Sequence, residues 1–204
     1  MVMAGHRKSG FSIIELMITV AVMLVLLMLA MPSFEGMRLR AAIRGAGEQT
    51  LGFWNQSRLE AAKRNQMVKV GVIEDGSAFC LGAATTADPD DGEACDCFLA
   101  DTTDPAYCDV ARFPGPGNQA EWKGVTLSGT PTLGSDLDGL AVIEPKRTSL
   151  ADTDAAGTIS LAGPPGQFAY KLNLHVDAFG RATLCESTTA TQHLPDYGGR
   201  TCAD

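Results

Sequence analysis

The sequence predicts an α+β fold, a long N-terminal helix packed on a β-rich C-terminal head. Three observations carry it: a 21-residue apolar run at 11–31, a helical period that continues to about residue 65, and a change to short strand-like segments after it. The 204 residues suit one globular domain with an appendage. At 45% apolar and 20% charged the chain is neither a disordered tail nor a polytopic membrane protein. Sixteen Lys and Arg against 24 Asp and Glu, a net charge of −8, argue against a whole-chain nucleic-acid footprint.

The run FSIIELMITVAVMLVLLMLAM is interrupted only by Ser12, Glu15 and Thr19. As a helix it reaches roughly 31 Å, the thickness of a bilayer core, so 11–31 reads as a single transmembrane helix. Arg7 and Lys8 precede it, which places residues 1–10 in the cytoplasm and exports the rest. A secretory signal peptide would have a shorter apolar stretch of roughly 7–15 residues and a small-residue cleavage site, for which Leu29-Ala30-Met31-Pro32 is a poor match. Glu15 is the odd residue. A carboxylate inside an apolar helix is costly and points to function; the plainer reading is an acid snorkelling near the helix end.

Lys8-Ser9-Gly10-Phe11-Ser12-Ile13-Ile14-Glu15-Leu16 resembles the class III signal sequence of type IV pilins and type II secretion pseudopilins. The resemblance implies a pilin-like fold, a leader at 1–10, cleavage between Gly10 and Phe11 by a prepilin peptidase, N-methylation of Phe11, and an assembly role for Glu15. Cleavage there would leave an amine on Phe11, and a carboxylate one turn away could pair with such an amine on a neighbouring subunit. Ser57-Arg58-Leu59-Glu60-Ala61-Ala62-Lys63-Arg64-Asn65 followed by Met67-Val68-Lys69-Val70 looks like the A-R-S-E-A-x-K-R-N…V stretch of the GspH/FimT family of minor pilins and H-type minor pseudopilins, and Pro32 stands where pilins usually have a proline. The implied role is a minor subunit at or near the tip of a type IV pilus or type II secretion pseudopilus. Its implied partners are other minor and major pilins or pseudopilins, the prepilin peptidase, the inner-membrane assembly platform and, through the N-terminal helix, the membrane. The alternative is a DNA-binding or adhesive minor pilin.

The stem, 32–65, continues the helix. Phe34, Met37, Ala41, Leu51, Trp54, Ala61 and Ala62 recur at spacings compatible with one face. Gly36, Gly45, Gly47 and Gly52 each cost roughly 0.8–1 kcal/mol in a helix interior, so the first half is a candidate for kinking or melting when subunits pack; alternatively the glycines only allow close approach. Segments 67–74, 78–82, 125–128, 140–144, 158–162, 167–176 and 181–186 read as strands, and the head, 66–204, is large enough to bury a core.

Charge separates by region. Residues 34–65 hold six basic and three acidic side chains, whereas 66–204 hold eight basic and twenty acidic, a net of −12. Such a head repels phosphate backbones, and at the C-terminal end Arg200, with His193 nearby, is the only candidate DNA contact. Cys80, Cys95, Cys97, Cys108, Cys185 and Cys202 all fall in the head and read as disulfides, with fifteen formal pairings. A Cys185–Cys202 bridge would tie the tail to the last predicted strand, leaving the other four to brace the loop 83–118. Cys95-Asp96-Cys97 is unlike a zinc ligand pair, and no metal is expected. The acids of that loop, Asp88, Asp90, Asp91, Glu93, Asp96, Asp101, Asp104 and Asp109, are a conceivable calcium site but do not follow EF-hand order, and a solvated, variable surface loop is the default reading. Asp136-x-Asp138 and Asp152-x-Asp154 read as turns, Trp54 and Trp122 as packing residues, and His175 as structural. His6, His175 and His193 are scattered and no catalytic motif is present, so neither enzymatic activity nor a cofactor is expected.

Overall fold

The computed structural model describes residues 11–75, 78–115, 124–134, 139–164, 169–195, 197 and 199–202, with the backbone alone for 29–33. Helix α1 runs over Ile13–Arg64, 52 residues. It starts where the Ser12 carbonyl accepts the N–H groups of Glu15 and Leu16, both at 3.1 Å. Ser12 and Glu15 stand in the S-x-x-E order of a capping box. Its end is a Schellman motif: Asn65 turns left-handed at φ 51°, its N–H donates to Ala62 O, and the Gln66 N–H donates to Ala61 O, both at 3.3 Å. Lys63 and Arg64 in the last turn complement the negative end of the helix dipole.

The chain divides into two compact units, Met1–Arg38 and Leu39–Asp204. In the first, the large apolar side chains described over 13–28 are exposed around the whole circumference of the helix, from Ile13 at 81% to Val20 at 50%. The expected transmembrane helix over 11–31 is corrected in two respects. The helix begins at Ile13, and among the described residues no helix is long and apolar enough to cross a membrane.

In the second unit the helix buries Ile43, Ala46, Gly47, Thr50, Phe53, Trp54, Ser57 and Ala61, a stripe about 120° wide at 100° per residue. This corrects the expected face: Phe34, Met37, Ala41 and Ala62 are exposed and Leu51 is half-buried, while Trp54 and Ala61 lie in the stripe. Thr50 and Ser57 mislead a reading by hydrophobicity because each satisfies its own hydroxyl, Thr50 Oγ1 donating to Ala46 O at 2.8 Å and Ser57 Oγ to Phe53 O at 2.9 Å. The backbone is helical through Pro32 and all four glycines. A Cβ at Gly47 would overlap the Leu172 side chain, so this glycine serves close packing; at Gly45 and Gly52 it would meet nothing within 4 Å.

Among the described residues nine strands follow: β1 (Met67–Asp75), β2 (Ala78–Thr86), β3 (Ala111–Phe113), β4 (Thr126–Leu127), β5 (Leu140–Ile143), β6 (Gly157–Ala162), β7 (Lys171–Val176), β8 (Ala182–Ser187) and β9 (Thr201–Cys202). They form two sheets, ordered β3-β2-β1-β5 and β4-β6-β7-β8-β9. All pairs are antiparallel except β8 with β9. β3 and β9 were not expected. The segment expected at 167–176 is a strand from Lys171, with 167 and 168 outside the described residues.

One core joins the helix to both sheets. Ile43, Phe53 and Trp54 meet Val68, Val70, Leu81 and Ile143 of the first sheet and Ile159, Leu161, Leu172 and Leu174 of the second. The other face of the first sheet has its own apolar cluster of Cys80, Ala84, Cys95, Cys97 and Cys108, with Ile73 and Phe98 against it. Both faces of β2 are therefore buried, which explains its unbroken run of apolar and small residues.

The six cysteines are joined as Cys80–Cys97, Cys95–Cys108 and Cys185–Cys202. Gly82 of β2 lies directly beneath the Cys95–Cys108 bridge. A Cβ there would come within 2.7 Å of Cys95 Sγ and closer still to Cys108 Sγ, so only glycine admits the bridge at this height above the strand.

Candidate functional site

The first candidate is the start of α1. Phe11 is 80% exposed and stands two residues before the helix. Glu15 lies in the first turn with its side chain exposed. Among the described residues no cation comes within ion-pair distance of its carboxylate. Gly10, Arg7 and Lys8 lie outside the described residues. The arrangement is an apolar rod with one carboxylate about a turn from position 11, the spacing at which side chains of one helix face neighbour one another. A rod that is apolar all round requires an apolar environment, either lipid or other helices.

The second region is the loop over the outer face of the first sheet, whose carboxylates divide into two kinds. Asp88, Asp101 and Asp104 accept N–H groups two residues ahead, closing their own turns. Asp91 and Asp109 pin the loop to regular structure. Asp109 accepts from Arg64 Nη1 at 2.8 Å and from the Thr85 N–H at 2.8 Å, and Asp91 accepts from Lys69 Nζ at 2.9 Å and Thr86 Oγ1 at 2.8 Å. Most of the loop's acids are exposed, and two bridges and the two anchored acids hold the loop to β1, β2 and the helix end. Arg64 also donates to Glu60, and that bond, more than the attraction of Asp109, raises the affinity of its guanidinium for its proton.

Partial burial of Asp91 pushes its carboxyl up, but the bonds from Lys69, Thr86 and the Glu93 N–H outweigh it and hold the group below the ordinary carboxylate value. A folded-state pKa below the unfolded one adds stability above the unfolded value, and that stability is lost as pH falls through the folded value. Asp91→Asn should therefore flatten the acid limb of the stability curve below about pH 4, by about 1 kcal/mol for this part-buried surface pair. Urea midpoints of both proteins between pH 7 and pH 3 check this, and parallel curves would refute it.

The third region is the C-terminal tail. Glu186 on β8 is 1% exposed, and it fixes the tail. Its Oε1 accepts the Leu194 N–H at 2.9 Å, its Oε2 lies 3.2 Å from His193 Nδ1, and its own N–H donates to Arg200 O at 2.7 Å. The adjacent Cys185 is bonded to Cys202. Arg200, the candidate DNA contact, is exposed with its backbone committed to this docking. Sequence reasoning missed Glu186, although a signal was available: in Ala-Thr-Leu-Cys-Glu-Ser it alternates with Leu184 and so falls on the core side.

Trp54 is fully buried, and its Nε1 donates to Gly180 O at 2.9 Å. Trp122, Asp136, Asp138 and His6 lie outside the described residues. Asp152 accepts the Asp154 N–H and starts a 3-10 turn at Thr153–Ala155. His175 is exposed on β7, 3.3 Å from Thr158 Oγ1 through Nδ1. Among the described residues no group of three or more His, Cys, Asp or Glu side chains converges as a metal site. No cysteine is left as a thiol.

Neither a curated protein nor a solved structure matches the chain. Residues 5–31 match the family model of the prokaryotic N-terminal methylation motif, which covers Gly10, Phe11, Glu15 and the apolar run. In that segment the chain is type IV pilin-like.

Proposed function

We propose that the chain is made as a prepilin, cut between Gly10 and Phe11, methylated on Phe11, and built as a minor subunit into a type IV pilus or type II secretion pseudopilus, at or near its tip. The observation that carries this reading is the methylation motif at 5–31 on a helix whose apolar side chains are exposed all round. Such a surface suits the inner membrane before assembly and a bundle of pilin helices after it, with the head outside the cytoplasm, where the three disulfides are stable. Glu15 sets subunit registry by pairing with the Phe11 amine of a neighbour. The stretch 57–70 supports placement in the GspH/FimT branch. Its Arg58 donates to Thr148 O at 3.0 Å, its Glu60 and Arg64 brace the helix end, and its Val68 and Val70 enter the core.

The test is a pair of variants. Gly10→Ala should leave a precursor longer by the ten-residue leader, with an unmethylated N-terminus by mass spectrometry. Glu15→Ala should be cleaved normally yet be absent from sheared filaments. Normal processing of Gly10→Ala would sink the prepilin reading, and Glu15→Ala at wild-type levels in filaments would sink the registry role.

A further inference from the structure

The head is acidic, yet three segments distant in sequence bring four cations to one place on it. Arg58 of α1 donates from Nε to Thr148 O at 3.0 Å and from Nη2 to Thr148 Oγ1 at 3.1 Å, beside Lys146 and Arg147. Gly180, in the turn between β7 and β8, approaches the same carbonyl so closely that a Cβ on it would stand 2.7 Å from Thr148 O. Its neighbour Arg181 lies over the ring of Phe179, 5.8 Å from the centroid, and Phe179 is 67% exposed. Lys146, Arg147 and Arg181 are exposed and Arg58 is half-buried. Among the described residues none of the four is in an ion pair, although Arg44, Lys63, Arg64 and Lys69 all are. Glu144 and Asp177, both half-buried, flank the patch and leave it net positive.

A matching surface exists on the same chain. In the disulfide-braced loop, Asp88, Asp90, Glu93 and Asp101 are exposed and without a cation among the described residues. The two bridges hold these carboxylates in place, which lowers the ordering cost of a contact. Among the described residues no ion pair joins the two surfaces within one chain. A long polyanion lying on the patch would run on over a surface of opposing sign, whereas a compact acidic patch would not.

We propose that the patch formed by Arg58, Lys146, Arg147 and Arg181 around Phe179 docks the acidic loop of a second copy of this chain, in a head-to-tail contact between heads. The contact is heterologous: each copy offers one surface of each sign, so it extends a row instead of closing a pair. It concerns the heads and does not depend on the N-terminal reading.

The experiment uses the full chain in detergent, followed by sedimentation between about 0.01 M and about 1 M salt, over which the screening length falls from about 30 Å to about 3 Å. Self-association should weaken at least about tenfold across that range. Lys146→Glu with Arg147→Glu, and separately Asp88→Lys with Asp90→Lys, should each remove the salt-sensitive part, and an equimolar mixture of the two should restore it. Salt-independent association of the wild type, or a mixture that fails to recover, overturns the proposal. So does retention of single-stranded DNA that is lost with Lys146→Glu and Arg147→Glu while self-association stays unmoved.

Discussion

Reduction of the three disulfides is expected to unfold the 39–204 unit at neutral pH and room temperature, with loss of its near-UV circular dichroism. The bridges close segments of 17, 13 and 17 residues, each worth roughly 3 kcal/mol on the chain-entropy estimate. A domain of ordinary stability has only about 5–15 kcal/mol in total. Local packing points the same way, because the cluster on the outer face of the first sheet is built mostly from the cysteines themselves, supplemented by Ala84, Ile73 and Phe98. Without the bridges, the loop keeps Asp91 and Asp109 as its main anchors, one a part-buried and the other an exposed surface ion pair, each of small worth. Cys80→Ser with Cys97→Ser should free the loop to limited proteolysis while sparing the tail, and Cys185→Ser with Cys202→Ser should do the reverse. A fully reduced protein that kept its near-UV signal and melted within a few degrees of the oxidised form would show that the apolar core alone suffices.

Trp54→Ala should cost about 3–5 kcal/mol, the range for removing a large buried aromatic. The side chain is inaccessible to solvent, lies in the stripe that joins the helix to both sheets, and bonds the Gly180 carbonyl in the turn between β7 and β8. Truncation opens a cavity between three layers and leaves that buried carbonyl without its donor, so the two losses add. Thermal melting should fall by about 10 °C for a unit of this size. Trp54→Phe should lose less, because volume is mostly kept and only the bond disappears. If the two variants melted together, the hydrogen bond and not the volume would be the dominant part.

How legible all this was depended on the length of each signal. The helix end could be placed near 65 because Lys63-Arg64-Asn65 combines dipole-compatible cations with a residue that tolerates the left-handed turn. Long strands showed themselves by composition and turn residues, whereas β3 and β9 have three and two residues, too few for any period to register, and both exist because bridged segments bring them to a sheet edge. The buried helix face was misread because Thr50 and Ser57 enter the core as self-satisfied hydroxyls, while Phe34 and Met37 stay exposed. At the candidate sites, the leader motif was visible as contiguous residues. The Glu186 anchor and the four-cation patch were not, since tertiary pairing creates both from positions up to 123 residues apart, Arg58 and Arg181 marking the extremes of the patch.

The stripe from Ile43 to Ala61 also has a mechanical consequence. It runs along the length of the helix segment within the second unit and is pinned near its middle by the bond from Trp54. A pull applied along the helix axis therefore loads these contacts in shear, all at once, instead of peeling them in turn. Traction on the helix is shared by both sheets before any one contact yields.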